Sequence, residues 1–310
     1  MSLPIVHHPD YQAPLRPGHR FPMSKYGYLR KALTARGLMQ PGSWVAPAAA
    51  TAATISLAHD AGYVSRAFSL TLSDQEMRAI GLPRTERVIR RARLASAGTV
   101  LAARLAMAEG IACNTAGGSH HAGLLGGAGF CTFNDVAVAA RALLSTGVVQ
   151  RVLIFDCDVH QGDGTAEIFA DEPAVITVSI HSERNYPSEK KSSDIDVGLA
   201  DGVTDDDYLR VLEDTLRRAL ELGPFDIAFY NAGVDVHAED RLGRLALSTD
   251  GVRARDRRVI EGLRGAGLPL ACAIGGGYHD DPQHVAERHA ILFEEAARRA
   301  MTSPSSRGEG

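Results

Sequence analysis

Four apolar runs, each ending in polar or glycine residues, constrain this chain more than any other feature. They are Val152 to Asp156 (VLIFD), Val175 to Ile180 (VITVSI), Ile227 to Asn231 (IAFYN) and Leu270 to Ile274 (LACAI). None alternates between apolar and polar residues, so each reads as a strand buried on both faces, the habit of parallel sheets. Helical patterns separate them. Glu86 to Glu109 carries an apolar stripe with few breakers, Asn134 to Ser145 is alanine-rich and Asp207 to Leu222 is amphipathic. Thr249 to Arg264 opens on a Thr-Asp capping signal, and Pro282 to Arg299 reads as a terminal helix. Strands alternating with helices predict a layered α/β fold with a mostly parallel central sheet. With no repeat and no long linker, residues 1–301 are expected to form one domain and residues 302–310 (TSPSSRGEG) a disordered tail.

In such sheets the functional groups gather beyond the carboxyl ends of the strands. Directly after VLIF come Asp156, Cys157, Asp158, Val159, His160, Gln161, Gly162 and Asp163. In extended chain, residues 156, 158 and 160 point to one side. Carboxylates converging at the end of a buried strand cost several kcal/mol each unless a cation or donors compensate them. A lone Asp there is usually a turn cap, but three acids and a histidine within eight residues favour a metal site. Oxygen and nitrogen ligands suit zinc, with iron(II), cobalt or manganese as alternatives. A third ligand has to come from elsewhere. Asp235, just past the IAFY strand, is the best candidate and His237 its local rival.

His120 and His121 follow Gly117-Gly118-Ser119 and precede a glycine-rich loop. On an exposed turn they would be unremarkable; as a proton-transfer pair they need carboxylate partners, which Asp156 and Asp163 could supply. Tyr278 closes Gly275-Gly276-Gly277, whose glycines permit close backbone approach and would let one hydroxyl lean over a site at the strand end.

Other features narrow the setting. A formal charge of −4 carries no bulk attraction for nucleic acid. The four cysteines form no CxxC pair, which predicts buried thiols in a reducing compartment. The first residues, MSLPIVHHPDYQ, lack the charged and apolar regions of a signal peptide, and no apolar run reaches membrane-spanning length. The cytoplasm is the expected location.

Taken together, the motifs GGSHHAG (117–123), GFCTFND (129–135), DCDVHQGDGT (156–165), SIH (179–181), NAGVD (231–235) and GGGY (275–278) resemble the histone deacetylase family. They occur in that family's order over more than half the chain. Within the family the chain is most similar to the class IV branch and its bacterial relatives, on AGVDVHAEDRLGRLALSTDG (232–251), NYP (185–187) and PGHRFPMSKYGYL (17–29).

The resemblance implies a three-layer α/β/α arginase–deacetylase fold and a zinc-dependent hydrolase that removes an acyl group from the ε-amine of lysine or a similar amine. It makes Asp158, His160 and Asp235 the zinc ligands, pairs His120 with Asp156 and His121 with Asp163, and has Tyr278 polarise the scissile carbonyl. Iron(II) could replace zinc. It assigns a structural potassium ion to Asp156, Asp158, His160, Ser179 and Ile180, with a less secure second one near Phe169 and Val175. Gly129, Phe130, Tyr186, Leu242 and Gly276 match residues lining an acyl-lysine tunnel.

Two departures bear on substrate. There is no counterpart of the loop aspartate that grips a peptide backbone, and the loop from Gly123 to Gly129 is apolar. An acylated peptide and a small acylated amine such as an acetylpolyamine both stay open, as does a non-catalytic acyl-binding module. A two-manganese ureohydrolase is disfavoured, because Gly162 and His237 stand where its further carboxylates belong.

Overall fold

The structure, a computed structural model, describes residues 2–40 and 42–302. Seven strands form one sheet in which every pairing is parallel. In chain order they are β1 (Ile5–Val6), β2 (Ile111–Asn114), β3 (Val152–Asp156), β4 (Val175–Ser182), β5 (Ile195–Leu199), β6 (Ile227–Asn231) and β7 (Leu270–Ala273). Their order across the sheet is β1-β2-β7-β6-β3-β4-β5.

Every residue of β2, β3, β4, β6 and β7 is buried, as expected of strands covered on both faces. One layer contains α5 (Glu86–Glu109), α6 (Asp135–Leu144) and α7 (Asp163–Phe169), the other α1 (Lys25–Ala35), α8 (Asp205–Glu221), α9 (Thr249–Gly265) and α10 (Pro282–Thr302). Three shorter helices, α2 (Ala52–Ile55), α3 (Ala61–Phe68) and α4 (Asp74–Ile80), lead into α5. The three-layer α/β/α expectation holds.

The long elements begin where their capping residues say they should. Thr85 accepts from the Val88 N–H at the start of α5, Asn134 from Ala137 at α6 and Ser248 from Gly251 at α9. The last helix runs through Thr302, one residue into the span expected to be a tail; residues 303–310 lie outside the described residues. Cys113, Cys131, Cys157 and Cys272 are all buried free thiols. Among the described residues no helix is long and apolar enough to cross a membrane.

The order of strands decides where a site can form. From β3 the chain moves outward to β4 and β5, whereas from β6 it moves the other way to β7. The loops leaving β3 and β6 therefore part in opposite directions and open a crevice at the carboxyl edge. That crevice receives the polar motifs.

Candidate metal and acid–base site

Asp158, His160 and Asp235 meet in the crevice, buried, with ligand atoms all within 4.8 Å of one another. His160 Nδ1 lies 3.0 Å from Asp158 Oδ1 and 3.1 Å from Asp235 Oδ2. The loop after β3 holds Asp158 and His160 on one side, since the His160 N–H also donates to Asp158 Oδ1 at 3.0 Å. The loop after β6 supplies Asp235, whose Oδ1 accepts from the Val159 N–H at 3.0 Å and so ties the two loops together. His237, the rival, is turned away: its Nε2 meets Thr249 Oγ1 at 3.2 Å and its Nδ1 accepts from the Glu239 N–H.

Two features of this set would suit a divalent cation. Two fully buried carboxylates converge on one imidazole, and although burial opposes it, their hydrogen bonds and charge push His160 up to about 10. The pair demands positive charge at that point. The neighbouring backbone is also cut back to leave room: a Cβ on Gly276 would come within 2.1 Å of Asp235 Oδ2 and 2.7 Å of Asp158 Oδ2. With no Cβ there, the Gly276 N–H reaches Asp158 Oδ2 at 2.7 Å.

Beside this set stand the two histidines. His120 Nδ1 donates to Asp156 Oδ2 at 2.7 Å, and His121 Nδ1 to Asp163 Oδ1 at 2.5 Å. The imidazoles differ in environment. Burial opposes charge on His120, but Asp156 and Asp158 outweigh it and push the ring up to about 9. Burial and the nearby His120 hold His121 down at about 4 in spite of Asp163. Asp156 is fixed in turn by the Asn231 side-chain amide, 3.0 and 3.1 Å from its two oxygens. The histidine loop hangs from Asp135, which accepts from the N–H groups of Gly118 and Ser119. In the sheet, Asp156 pairs with Ser179, so the residues matched to a potassium site share one strand end; the Ser179 hydroxyl meets His181 Nδ1 at 2.9 Å.

A pocket of about 620 Å³ leads to these groups, and Phe130, Tyr186, His121, His160, Leu242 and Tyr278 line it. Tyr186 stands edge-on to His121 with ring centroids 4.8 Å apart and is 46 % exposed, so it forms the outer wall. Phe130 holds φ +66°, a region bulky side chains avoid, and its N–H is fixed on the Ile80 carbonyl at 2.7 Å. Gly129 precedes it at φ +52°, and the Tyr278 ring lies 6.0 Å from Phe130. Leu242 is at the rim. Burial and the carboxylates of Asp235 and Asp158 push the Tyr278 phenol well above its ordinary value, so its hydroxyl remains a neutral donor.

Several supporting residues have no motif to announce them. Asp240 accepts from the N–H groups of Tyr278 (2.6 Å), Leu242 (2.9 Å) and Gly243 (3.0 Å), fixing the tyrosine and the rim together. Lys25 is buried, donates to the Gly275 carbonyl at 3.1 Å, and is lowered to about 8 chiefly by burial. Arg255, on α9 and fully buried, donates from Nη1 to the carbonyls of Cys157 and Gly233, one in each ligand loop. Asp240 and Lys25 lie inside stretches that the sequence singled out (232–251 and 17–29), but neither was given a role there.

Comparisons with known proteins bear on the fold and the family. A histone deacetylase domain model matches residues 19–294. An uncharacterized protein of Picosynechococcus is 45 % identical over 96 % of this chain and 99 % of its own length. Histone deacetylase 2 of Arabidopsis thaliana is 31 % identical over 84 % of this chain and 70 % of its own. Among solved structures, an HDAC homolog complexed with SAHA superposes with a TM-score of 0.80 at 24 % identity, covering 96 % of this chain and 84 % of that one. At such identity the likeness speaks for the fold. The family match spans β2 to β7 and every residue of the buried Asp–His cluster, and the chain belongs to the histone deacetylase family of hydrolases.

Proposed function

We propose that this protein is a zinc-dependent deacylase that removes an acetyl or longer acyl group from the ε-amine of lysine. The observation that carries the reading is the convergence of Asp158, His160 and Asp235 at the inner end of an aromatic-walled pocket, with His121 and Tyr278 beside them. Asp158, His160 and Asp235 would hold the ion, zinc or alternatively iron(II), which supplies Lewis-acid polarisation of the acyl carbonyl and a lowered pKa for water.

The chain's own groups do the rest. Phe130 and Tyr186 pack the acyl-lysine stem and exclude water from it. With Nδ1 committed to Asp163, His121 has Nε2 left to accept the proton of the attacking water and then to protonate the leaving amine. Asp163 keeps that tautomer. Asp156 holds His120, whose Nε2 lies 3.8 Å from Asp158, as an electrostatic neighbour. The Tyr278 hydroxyl donates to the carbonyl oxygen as negative charge develops there. Potassium at Asp156, Asp158, His160, Ser179 and Ile180 would add fixed positive charge behind the buried carboxylates.

The test is Tyr278→Phe, which leaves the proposed ligands intact. Zinc content should be unchanged while kcat on an acyl-lysine peptide falls ~10²–10³-fold, the usual cost of a lost oxyanion donor. Unchanged turnover would remove Tyr278 from the mechanism.

A further inference from the structure

The residues around the pocket mouth carry a charge pattern that the protein's overall charge does not predict. Arg16, Arg20, Arg78, Arg184 and Arg244 all line the opening, and no aspartate or glutamate does. They come from four parts of the chain: the segment before α1, the last turn of α4, the loop after β4 and the loop after β6. All five are exposed. Arg244 pairs with Asp201 at 3.1 Å, but among the described residues Arg16, Arg20, Arg78 and Arg184 have no carboxylate within ion-pair distance. The nearby acids are turned to other partners. Asp74 pairs with Arg84, Glu76 with Arg66, and the side chain of Glu183 lies against Gly198. In a chain of formal charge −4, so many unpaired like charges at one opening make a local field of the opposite sign to the whole.

We infer that the substrate is an acyl-lysine flanked by carboxylates, presented by an acidic peptide segment. This deepens the deacylase reading and rests on it. A cleft lined with one sign of charge focuses the field and concentrates ligands of the opposite sign. A basic peptide tail or a cationic acetylpolyamine meets the five arginines at the pocket mouth, so the mouth selects against both. The small-amine alternative loses its support on the same ground.

The experiment compares three peptides of identical length and acyl group, with the acyl-lysine flanked by Glu, by Gln or by Lys. Free Nε-acetyl-lysine and N-acetylputrescine serve as small-molecule arms. The acid-flanked peptide should exceed the lysine-flanked one in kcat/KM by ~10-fold or more at low ionic strength, mostly through KM, and the ratio should shrink in 0.5 M salt. In R16E/R78E, which alters two exposed arginines without ion-pair partners, the ratio should fall toward one or invert. If free Nε-acetyl-lysine matches the acid-flanked peptide, its single carboxylate suffices and the acidic-segment source is wrong. A salt-independent ratio near one, or preference for the lysine-flanked peptide or for acetylputrescine, overturns the proposal while leaving the deacylase reading intact. No turnover of any arm, the Gln-flanked peptide included, overturns both.

Discussion

Replacing Arg255 by lysine keeps a buried positive charge and removes the planar fork that carries it. In the folded protein Arg255 Nη1 serves the carbonyls of Cys157 and Gly233, while Nε donates to Asp256 Oδ1 at 3.0 Å and Nη2 lies at ion-pair distance, 2.9 Å, from the same oxygen. Cys157 adjoins the proposed ligand Asp158, and Gly233 lies two residues before the proposed ligand Asp235. One guanidinium thus sets the spacing between the two loops that would close on the proposed metal ion. A compact ammonium cannot span these acceptors. Losing one hydrogen bond to a charged donor costs about 1.5–3 kcal/mol, so Arg255→Lys should lower unfolding stability by about 2–3 kcal/mol. It should also weaken zinc binding ~10-fold or more, the usual effect of disturbing a group that orients metal ligands.

The assay is competition between the metal-stripped protein and a chelator of known affinity, run beside urea unfolding. Tyr230→Phe is the control. It removes a hydroxyl that donates to Asp256 at 2.6 Å and leaves the hydrogen bonds from Arg255 to the two loop carbonyls in place, so it should cost about 1 kcal/mol of stability and leave zinc affinity alone. If Arg255→Lys lost stability yet bound zinc within twofold of wild type, Arg255 would be a core group with no hold on the ligands.

Other outcomes follow from single contacts. Gly276→Ala would press a Cβ to 2.1 Å from Asp235 Oδ2, so zinc content measured by mass spectrometry should drop at least tenfold; full retention would refute the fit of the ion to this cradle. His59 is a pH-sensitive support for the site. Its Nδ1 donates to the Gly123 carbonyl at 2.8 Å and its Nε2 accepts from the Asn134 N–H at 2.9 Å, so the neutral ring satisfies both neighbours. Burial lowers it from 6.5 to about 4, and its contribution is complete above pH 6.5 and lost as pH falls toward 4, because the unfolded chain takes the proton first. The loss amounts to about 3 kcal/mol at 1.36 kcal/mol per pH unit. His59→Gln, which can keep both hydrogen bonds without titrating, should flatten the fall in urea midpoint between pH 6.5 and 4.5; an unchanged slope would remove His59 as its source.

What the sequence could show followed from burial and spacing. Strands β3, β4, β6 and β7 were legible because both faces are covered, and such runs cannot pass for amphipathic helix or loop. Glu86–Glu109 was legible because 24 residues of helical periodicity leave little ambiguity. Strand β1 has two residues, and β5 at the sheet edge is buried only at Ile195 and Leu199 with exposed Asp196 and Gly198 between them, so neither carries an apolar signature long enough to read; β2 was not read although it is as short and as buried as β7.

At the site, the residues at 156–163 were visible as a local cluster of three acids and a histidine, but β3 ends at Asp156, so the turn of the following loop, not strand alternation, brings Asp158 and His160 together. The choice between Asp235 and His237 was not visible: two residues apart on a loop, they differ only in how that loop turns beyond β6. Arg255, Lys25 and the mouth arginines were beyond reach for a related reason. Their effect comes from convergence of segments as far apart as residues 16 and 244, and a net charge of −4 hides a local excess of positive charge. The sequence by itself determined strands β3, β4, β6 and β7 and the residue types at their ends. The tertiary structure decided which distant side chains share that edge, because only the opposite winding of the connections that leave the parallel strands β3 and β6 opens the crevice that brings them together.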